Sequence, residues 1–374
     1  MRIAIIADPI DNQKGGIHVY TREMVRALLE NDRENEYILL REKHDPELAG
    51  VRQIVIPNIR VGMGLAALRL FFIVPLILWW NKVDAVLEPA HFGPFNLPRH
   101  IKRITAIHDL TPILFPQYHR WHSQLLQKLF LRSILRRASL ILSNSRHTTR
   151  DLEQHYPFTQ GRIATIHLGP QPGFQPQRSR DFLEAQHIRQ AYWLAVGTIE
   201  PRKNLVRLLA AYRLFRERTA EAAPLVIVGQ RGWKAEAFYE ALEAHPFRED
   251  ILLVGFVPDQ ALAELYSHAI GLVYPSEYEG FGLPVLEALA CGCPVICSAV
   301  SSLPEVGGEL AYYVDPYDVE SIAQQMMALH ALPAPARADL KAAAAAWAAG
   351  FSWQRYAREC VEAFKGMARA SQNV

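Results

Sequence analysis

The residues that could do chemistry cluster in one stretch, EYEGFGLPVLEALACG, which spans residues 277–292. It follows an apolar run, 269–274, that is typical of a buried strand, and it continues with helical spacing. Pro284 suits the first turn of a helix, because its missing N–H would have no partner there. The N–H groups of Gly282 and Leu283 then remain available to bind an anion at the start of that helix. This pattern therefore predicts an anion-binding turn between a strand and a helix.

Two carboxylates accompany this turn. Glu287 lies about one turn inside the predicted helix, where it can accept hydrogen bonds from two vicinal hydroxyls. Glu279 lies in the loop, so a ribose on one carboxylate and a sugar on the other would suit a nucleotide sugar with its diphosphate at the helix end. The alternative is that the carboxylates only interact with the helix dipole. This accounts for Glu287 but not for the glycines on either side of Phe281, Gly280 and Gly282.

A second motif, VGTIEPRKNL, combines a strand-end glycine with two cations. Gly197 ends an apolar strand, and Arg202 and Lys203 follow in what we predict to be the first turn of a helix. Cations oppose the dipole at that end of a helix, so their presence favours binding of an anion such as a diphosphate over a solvated helix face. Gly229 ends a further strand, PLVIVG, in the same way.

The N-terminal half carries weaker signals of the same kind. Gly15 and Gly16 precede a helix, so their N–H groups could contact an anion or a sugar, although a plain turn explains them as well. His108 follows a strand together with Asp109, and its ring could donate to a hydroxyl or a phosphate or have a purely structural role. The glycines match neither GxGxxG nor a P-loop, which argues against a nicotinamide-dependent oxidoreductase and against a P-loop enzyme.

Bulk composition restricts the class of protein. The chain has 374 residues, half of them hydrophobic, so we expect a globular protein with two domains. Lys and Arg (40) nearly balance Asp and Glu (38), which argues against non-specific binding of nucleic acid. Four cysteines make no disulfide framework, which favours a cytoplasmic location, and the clustered Cys291, Cys293 and Cys297 are typical of buried thiols rather than of a metal site. The N-terminal MRIAIIADPI is typical of a first strand rather than of a signal peptide.

Strand-like runs alternate with helical patterns, which predicts an α/β fold with parallel sheets. In the first half we expect strands at RIAIIAD, EYILLR, VRQIVIP, VDAVLEP, KRITAIHD, ASLILSNS and RIATIHL. In the second half we expect them at YWLAVG, PLVIVG, ILLVGF, AIGLVYP and CPVICSA. The stretch GPQPGFQPQRSRDF between the halves lacks periodicity, as a linker does. We therefore expect domains at 1–172 and 191–350, a linker at 173–190, a terminal helix at 351–374, and a ligand cleft at the carboxyl ends of the strands.

One segment raises the question of a membrane. Residues 61–80 are apolar except for Arg69 and are long enough to span a bilayer. The charge of Arg69, the position of Pro75 and the strands expected on both sides favour a helix or helix pair that covers the sheet. Contact of this segment with a lipid surface stays open. The cations at 99–103 and 128–137 are compatible with a peripheral position on the inner face of the cell membrane or with a solvated helix face.

Taken together, these motifs resemble a known family. The block EGFGLPVLE resembles the E-x7-E signature of the retaining glycosyltransferases of family 4, and VGTIEPRKNL resembles the phosphate-binding loop of bacterial polysaccharide mannosyltransferases in that family. The segment IHDLTP and the N-terminal GG loop fit as well. The resemblance implies the GT-B fold, in which two Rossmann-like parallel-sheet domains face a central cleft. It also implies an N-terminal domain that binds the acceptor, a C-terminal domain that binds the nucleotide sugar, and a terminal helix that packs back on the N-terminal domain.

The resemblance also implies roles for individual residues. Glu279 would hold the donor sugar, Glu287 the ribose, and Arg202 and Lys203 the diphosphate, while His108 would contact the transferred sugar. We count His108, Arg202, Lys203 and Glu279 as catalytic. Further donor contacts are implied for Gly15, Gly16, Thr198, Gly229, Gly280, Phe281, Gly282 and Leu283. Many relatives have Arg where this chain has Thr198, so Arg202 is inferred to take over a phosphate contact.

The residues present also favour a mechanism. No Asp-x-Asp motif occurs in the sequence, so a metal-chelating site is unsupported, and cations with a helix dipole would stabilise the leaving diphosphate. A covalent route to retention needs a carboxylate next to the anomeric carbon. Glu279 is the candidate for it, but the resemblance gives Glu279 a hydroxyl-binding role. We therefore expect attack on the same face, with the leaving phosphate helping to deprotonate the acceptor.

The sequence thus predicts an enzyme that moves a hexose, mannose from GDP-mannose, to a lipid-linked or polysaccharide hydroxyl without metal or cofactor. A UDP-sugar donor on the same fold is the nearest alternative, since nothing in the motifs fixes the base. A nucleotide-sugar epimerase or hydrolase on this fold would consume donor without an acceptor. A non-catalytic binding protein is a further alternative, and the intact Arg202, Lys203, Glu279 and Glu287 argue against it.

Overall fold

The computed structural model describes residues 1–12, 15–57, 69–90, 93–94, 96–118, 130–219 and 223–370. The chain forms two compact units. The first consists of Met1–Leu168 together with Ser352–Val374, and the second of Gly169–Phe351. The terminal segment therefore belongs to the same unit as the N-terminal half.

The first unit is built on a parallel sheet of seven strands in the order β3-β2-β1-β4-β5-β6-β7. The strands are β1 Arg2–Ile6, β2 Glu36–Arg41, β3 Arg52–Val55, β4 Ala85–Glu88, β5 Lys102–Ile107, β6 Leu140–Ser143 and β7 Ile163–Thr165. Central strands such as β1 and β4 are buried along nearly their whole length, which is why they read as continuous apolar runs. Every strand expected in the first half is present.

Helices connect these strands. The α-helices with defined bounds are Asp8–Asn12, Gly16–Asn31, Val74–Trp80, Thr111–Leu114, Arg146–His155 and Trp353–Ala370, and residues 130–137 are also helical. Single 3₁₀ turns lie at Pro46–Leu48, Pro116–Tyr118 and Pro157–Thr159, and a π-helical turn at Arg69–Ile73. Helix Trp353–Ala370 packs on helix Gly16–Asn31, where the hydroxyls of Tyr20 and Tyr356 share a hydrogen bond of 2.6 Å. This contact fastens the end of the chain to the first unit.

The second unit has a parallel sheet of six strands in the order β10-β9-β8-β11-β12-β13. The strands are β8 Trp193–Val196, β9 Leu225–Val228, β10 Ile251–Gly255, β11 Gly271–Tyr274, β12 Val295–Ser298 and β13 Tyr312–Val314. The helices are Asp181–Ala185, Leu205–Arg218, Glu236–Glu243, Asp259–His268, Leu283–Ala290, Leu303–Gly307, Val319–His330 and Ala334–Ala348, with 3₁₀ turns at Pro201–Lys203 and Arg248–Asp250. The predicted α/β class with two parallel sheets is confirmed, although the sequence reasoning missed β13.

The segment expected to be a linker, 173–190, is part of the second unit. It contains the helix Asp181–Ala185, whose backbone is held by the buried carboxylate of Glu264. Glu264 accepts hydrogen bonds of 2.9 Å from the N–H of Leu183 and from the hydroxyl of Ser179. Glu264 lies about eighty positions further along the chain, so composition alone gave no sign that this segment is anchored.

The apolar segment 61–80 lies only in part within the described structure, since residues 61–68 fall outside it. From Arg69 onward it forms the π-helical turn and the helix Val74–Trp80. The buried guanidinium of Arg69 makes two hydrogen bonds of 2.7 and 2.8 Å to the carboxylate of Asp8 and a third of 3.1 Å to the carbonyl of Ile56. The single charge therefore fixes this segment to the end of β1. Over the described ranges of the chain, no helix is long and apolar enough to cross a bilayer.

Candidate functional site

The carboxylate of Glu279 lies at the centre of a charged cluster just beyond the carboxyl end of β11. Arg202 approaches one carboxylate oxygen to 2.7 Å, and the ammonium of Lys203 approaches the other to 2.6 Å. The hydroxyls of Tyr274 and Ser276 donate to that second oxygen over 2.8 and 2.5 Å. All four partners converge on a side chain that is almost completely buried. The structure thus brings together three residues that the sequence predicted for one site.

The electrostatics of the cluster keep Glu279 ionised. Burial alone would raise the pKa of Glu279, but the charges of Arg202 and Lys203, with hydrogen bonds from Lys203 and Ser276, lower it to about 2. Burial lowers the pKa of Lys203 below its ordinary value, while the charge of Glu279 acts in the opposite direction. Arg202 is also paired with Glu200 at 2.7 Å. Two cations are therefore balanced by two carboxylates at this point.

The loop that carries the two cations is built differently from our expectation. Arg202 and Lys203 lie in the 3₁₀ turn Pro201–Lys203, which precedes helix Leu205–Arg218 rather than forming its first turn. Asn204 joins the two elements in the left-handed conformation, with φ of 60°. Its side-chain amide donates to the carbonyls of Pro275 and Pro316 over 2.9 and 2.6 Å. This amide ties the cation loop to the residues that follow β11, because Pro275 comes directly after that strand.

The glycines at the ends of β8 and β9 have a packing function. Gly229 has φ of 155°, and a Cβ there would lie 1.9 Å from the carbonyl oxygen of Gly197. A Cβ on Gly232 would lie 2.6 Å from the side chain of Thr198 and 2.7 Å from the carbonyl oxygen of Ile199. The two strand ends therefore approach each other backbone to backbone. Gly229 and Thr198, both predicted donor contacts, lie at this junction. The close backbone contact is sufficient to require glycine at position 229.

The glycine-rich turn before helix Leu283–Ala290 is fixed by hydroxyl groups. Gly282 precedes the helix in the left-handed region, with φ of 104°, which favours glycine. Ser302 donates to the carbonyls of Glu279 and Phe281 over 2.9 Å each, and Ser301 accepts from the N–H of Glu279 over 2.9 Å. The turn that contains Gly280, Phe281, Gly282 and Leu283 is therefore held in one conformation next to the Glu279 cluster.

Glu287 lies in a different environment from Glu279. It is buried in helix Leu283–Ala290, and the hydroxyl of Tyr266 lies 3.4 Å from its carboxylate. Burial raises the pKa of Glu287 to about 7, and the charge of Asp259 acts in the same direction, while hydrogen bonds from Gln171 and Tyr266 lower it. Near neutral pH, Glu287 is therefore partly protonated, whereas Glu279 is ionised.

The remaining predicted site residues, Gly15, Gly16 and His108, belong to the first unit. The imidazole Nε2 of His108 lies 2.8 Å from the carbonyl of Pro89, and its ring stacks edge-on against Tyr20 at 4.5 Å. Burial lowers the pKa of His108, so the ring is neutral and donates from Nε2, because a carbonyl only accepts. Gly15, with φ of 89°, and Gly16 form the exposed start of the helix that carries Tyr20.

Several polar residues that shape these sites escaped the sequence reasoning. In the second unit they are Tyr274, Ser276, Ser301, Ser302, Tyr266 and Gln171. In the first unit they are Tyr20 and Tyr356, whose hydrogen bond connects helix Trp353–Ala370 to the ring that touches His108. Tyr274 and Ser276 fall within the segment YPSEYEG. Their hydroxyls, close to Glu279 in the sequence, could have indicated hydrogen-bond partners for its carboxylate.

Comparison with protein families identifies the class of protein. Residues 14–171 match the model described as "Glycosyltransferase Family 4", and residues 181–347 match "Glycosyl transferases group 1". The chain therefore belongs to the family 4 glycosyltransferases, and it is an enzyme of the glycosyltransferase type. The resemblance noted from its motifs is confirmed.

Two of the similar proteins are named as mannosyltransferases. The chain is 32% identical to O-antigen chain mannosyltransferase B of Escherichia coli, an alignment that covers 98% of this chain and all of that one. It is 28% identical to the serotype-specific mannosyltransferase WbdA of Escherichia coli over 72% of this chain but only 34% of that protein.

Solved structures confirm the GT-B type of fold. Sucrose-phosphate synthase from Thermosynechococcus elongatus superposes with a TM-score of 0.76 at 20% identity, covering 99% of this chain and all of that one. HepE from Anabaena in complex with UDP and glucose superposes with a TM-score of 0.75 at 15% identity, covering 98% and 100%. At these identities the likeness concerns the fold alone.

Proposed function

We propose that the protein transfers mannose from GDP-mannose to a hydroxyl of a lipid-linked or polysaccharide acceptor, with retention of configuration and without a metal ion. The observation that carries this proposal is the cluster of Arg202, Lys203 and Glu279, with separations of 2.6 and 2.7 Å. The choice of mannose is supported by the full-length similarity to a protein named O-antigen chain mannosyltransferase B.

The cluster has the chemistry that a nucleotide sugar needs. A diphosphate binds guanidinium and ammonium groups through charge-assisted hydrogen bonds, and Arg202 and Lys203 supply both. Once a diphosphate competes for these cations, the carboxylate of Glu279 can accept hydrogen bonds from sugar hydroxyls instead. Glu287, with its pKa raised to about 7, is proposed to accept from the two ribose hydroxyls.

The same geometry favours same-face attack over a covalent intermediate. In the proposed step the bond between the anomeric carbon and the diphosphate oxygen breaks, and the acceptor oxygen bonds to that carbon from the same side. The acceptor proton passes to the departing phosphate, whose charge Arg202 and Lys203 stabilise. A nucleophilic carboxylate needs a free oxygen, whereas the oxygens of Glu279 are engaged by four donors in this structure and are assigned to sugar hydroxyls in the proposed donor complex.

Product analysis by NMR tests this function. The protein is incubated with GDP-mannose, a mannose-terminated lipid acceptor and EDTA. We expect a new α-linked mannose, because the donor is α-linked and the configuration is retained. A β-linked product would refute retention, and loss of activity in EDTA that Mg²⁺ restores would refute metal independence. Consumption of GDP-mannose at the same rate without acceptor would favour the hydrolase or epimerase alternative, and transfer from a UDP-sugar alone would change the donor.

We also propose that the enzyme works as a peripheral protein at the inner face of the cell membrane. A lipid-linked acceptor would hold its reactive hydroxyl close to the bilayer, so an enzyme bound at the surface would meet it more often. Sedimentation of the enzyme with cell membranes, and its release by high salt, are the expected results. Recovery of all the enzyme in the soluble fraction at low salt would contradict this location.

A further inference from the structure

The helical segment 69–80 has an apolar face that is exposed among the residues that the structure describes. Its outward side chains are Phe72, Ile73, Leu76, Trp79 and Trp80, and we call them the tryptophan face. Phe72 is 63% exposed and Trp80 is 77% exposed, and the other three are also exposed. Their spacing places them on one side of a helix.

The opposite side of the same helix is apolar as well. Val74 and Leu78 are buried in a cluster that includes Ile38, Val83 and Ile101. A helix that is apolar all round is normally surrounded by protein or lipid. Single exposed apolar residues are common on protein surfaces, but five on one short helix form a continuous patch that is characteristic of an interaction site.

The tryptophan face is held firmly in place. At the start of the segment, Arg69 is bonded to Asp8 through both carboxylate oxygens at 2.7 and 2.8 Å. At its end, the guanidinium of Arg2, in β1, donates to the carbonyl of Asn81 over 3.0 Å. The outward direction of the indole rings therefore follows from a helix anchored at both ends.

Cations lie at the end of the helix that carries the two tryptophans. Lys82 is exposed and follows the helix directly, and exposed Arg52, at the start of β3, donates to the side chain of Asn81 over 2.7 Å. Arg99 is exposed in the turn that leads into β5. That turn is close to the helix, because Ile101 packs in the same cluster as Leu78.

Acidic groups at this end of the sheet leave these cations in excess. Asp84 accepts from the backbone N–H of Arg2 over 2.7 Å, and Glu36 pairs with the side chain of Arg2 at 2.9 Å. Arg2 therefore offsets only one of these two carboxylates, and Arg52, Lys82 and Arg99 exceed the remaining negative charge beside the tryptophans. Indole rings next to cations are typical of surfaces that meet lipid headgroups.

The size of the face distinguishes a lipid surface from a protein partner. The helical segment is about 18 Å long and about 10 Å wide, so it offers on the order of 200 Å². A stable protein interface needs about 800 Å² on each partner. Insertion into a bilayer has no such requirement, because lipid adapts to the side chains and every buried apolar group contributes.

We propose that the tryptophan face docks this enzyme on a bilayer that contains anionic lipid. In this arrangement the five apolar side chains enter the headgroup region, while Arg52, Lys82 and Arg99 contact lipid phosphates. The inference deepens the proposed function and rests on it for one point, the peripheral location. The residues that bind the membrane are identified from the surface of the first unit, independently of the donor site.

Vesicle flotation tests the proposal. The wild-type protein is mixed at low salt with vesicles of phosphatidylglycerol and phosphatidylcholine, or of phosphatidylcholine alone. We expect flotation with the anionic vesicles, and a fall of about tenfold or more in the bound fraction for the double variant Trp79→Ser, Trp80→Ser. The matched control is Phe256→Ser, which removes an aromatic side chain that is 72% exposed in the second unit and should keep full binding.

A second variant tests the charges. Reversal of Lys82 and Arg99 to Glu should lower binding to anionic vesicles about tenfold or more and leave the weak binding to phosphatidylcholine unchanged. Wild-type protein that fails to float with anionic vesicles at low salt would overturn the proposal, as would full binding by both double variants. Analytical sedimentation tests whether the tryptophan face binds a second copy of the chain instead. A wild-type dimer that becomes monomeric in the tryptophan variant would overturn the membrane proposal and assign the face to that second copy.

The nucleotide response separates this inference from the proposed function. The increase in melting temperature caused by GDP should be the same in the tryptophan variant and the wild type, because the substituted residues are exposed and lie in the other unit from Arg202 and Lys203. If the tryptophan variant no longer floats but responds to GDP as the wild type does, it has lost membrane binding and kept the donor site. A wild-type protein that floats but does not respond to GDP would refute the donor assignment alone.

Discussion

Replacing Glu287 by Gln should stabilise the protein in alkaline solution and have a much smaller effect in acid. The fold raises the pKa of Glu287 from 4.5 to about 7, chiefly because burial disfavours the charged carboxylate. Above pH 7 the folded protein therefore carries an ionised group that would be more stable in the unfolded chain. A glutamine has nearly the same shape and stays neutral at every pH.

The size of the effect follows from proton linkage. The folded state binds more protons than the unfolded state between the two pKa values, so stability falls as the pH rises through this range. From 4.5 and about 7, the destabilisation by Glu287 is about 1 kcal/mol near pH 5 and about 3 kcal/mol near pH 8. For a unit of this size, 3 kcal/mol corresponds to about 6 to 12 °C in melting temperature.

Calorimetric melting of wild type and Glu287→Gln near pH 5 and pH 8 measures this difference. Glu88, whose pKa burial also raises to about 7, titrates equally in both proteins and cancels. Glu279→Gln is the control of opposite sign, because a pKa lowered to about 2 makes the ionised Glu279 stabilising above pH 4.5, a contribution lost as the pH falls through 2. Equal melting temperatures for wild type and Glu287→Gln at pH 8 would refute the reasoning about burial.

Three further predictions concern the sites. Lys203→Ala should weaken GDP binding about tenfold or more in calorimetric titration, because a buried charge partner of the diphosphate is lost, whereas Arg213→Ala on an exposed helix face should have no effect. Glu279→Gln should retain measurable turnover in single-turnover assays, since an amide still accepts a sugar hydroxyl, and complete loss would instead indicate a nucleophile. Tyr356→Phe removes the 2.6 Å hydrogen bond to Tyr20, whose ring contacts His108. We expect kcat to fall severalfold, the KM for donor to change little, and the stability to fall by about 1 kcal/mol. An unchanged kcat would show that this hydrogen bond is only structural.

The sheet was predictable because its strands are buried on both faces. Each run that becomes a buried central strand, such as AVLE in β4 or LVIV in β9, is apolar and short and ends at a turn. Strand β13 has only three residues, Tyr312–Val314, and lies at the edge of its sheet, where two of them are half-buried. A run this short shows little periodicity of its own, although β7, which is equally short, was predicted as part of the run RIATIHL.

The site was predictable residue by residue but not as an arrangement. The motifs pointed to Arg202, Lys203 and Glu279 separately, yet their mutual ion pairs join positions more than seventy residues apart. The contact of Asn204 with Pro275 could not be predicted for the same reason, because these residues are also more than seventy positions apart. Motif spacing reports on local turns, whereas these pairings depend on how the ends of β8 and β11 meet.

The contrast between the two glutamates also needed the structure. The sequence placed Glu279 in a loop and Glu287 in a helix of one motif, but it gave no sign that their pKa values differ. Three-dimensional packing places two cations against Glu279 and a tyrosine and a glutamine against Glu287, so their pKa values separate to about 2 and about 7. The neighbours, not the spacing, decide which carboxylate is ionised.

The most direct test of the account is thermal unfolding with GDP, UDP, ADP and dTDP, each with and without EDTA. A ligand at one hundred times its dissociation constant adds about 2.7 kcal/mol to the stability of the unit that binds it. We expect a clear rise in melting temperature with GDP that EDTA does not change and that the Lys203→Ala variant loses. A rise with UDP instead of GDP would contradict the proposed donor, and no rise with any of the four would contradict the assignment of the Arg202, Lys203 and Glu279 cluster as a nucleotide-sugar site.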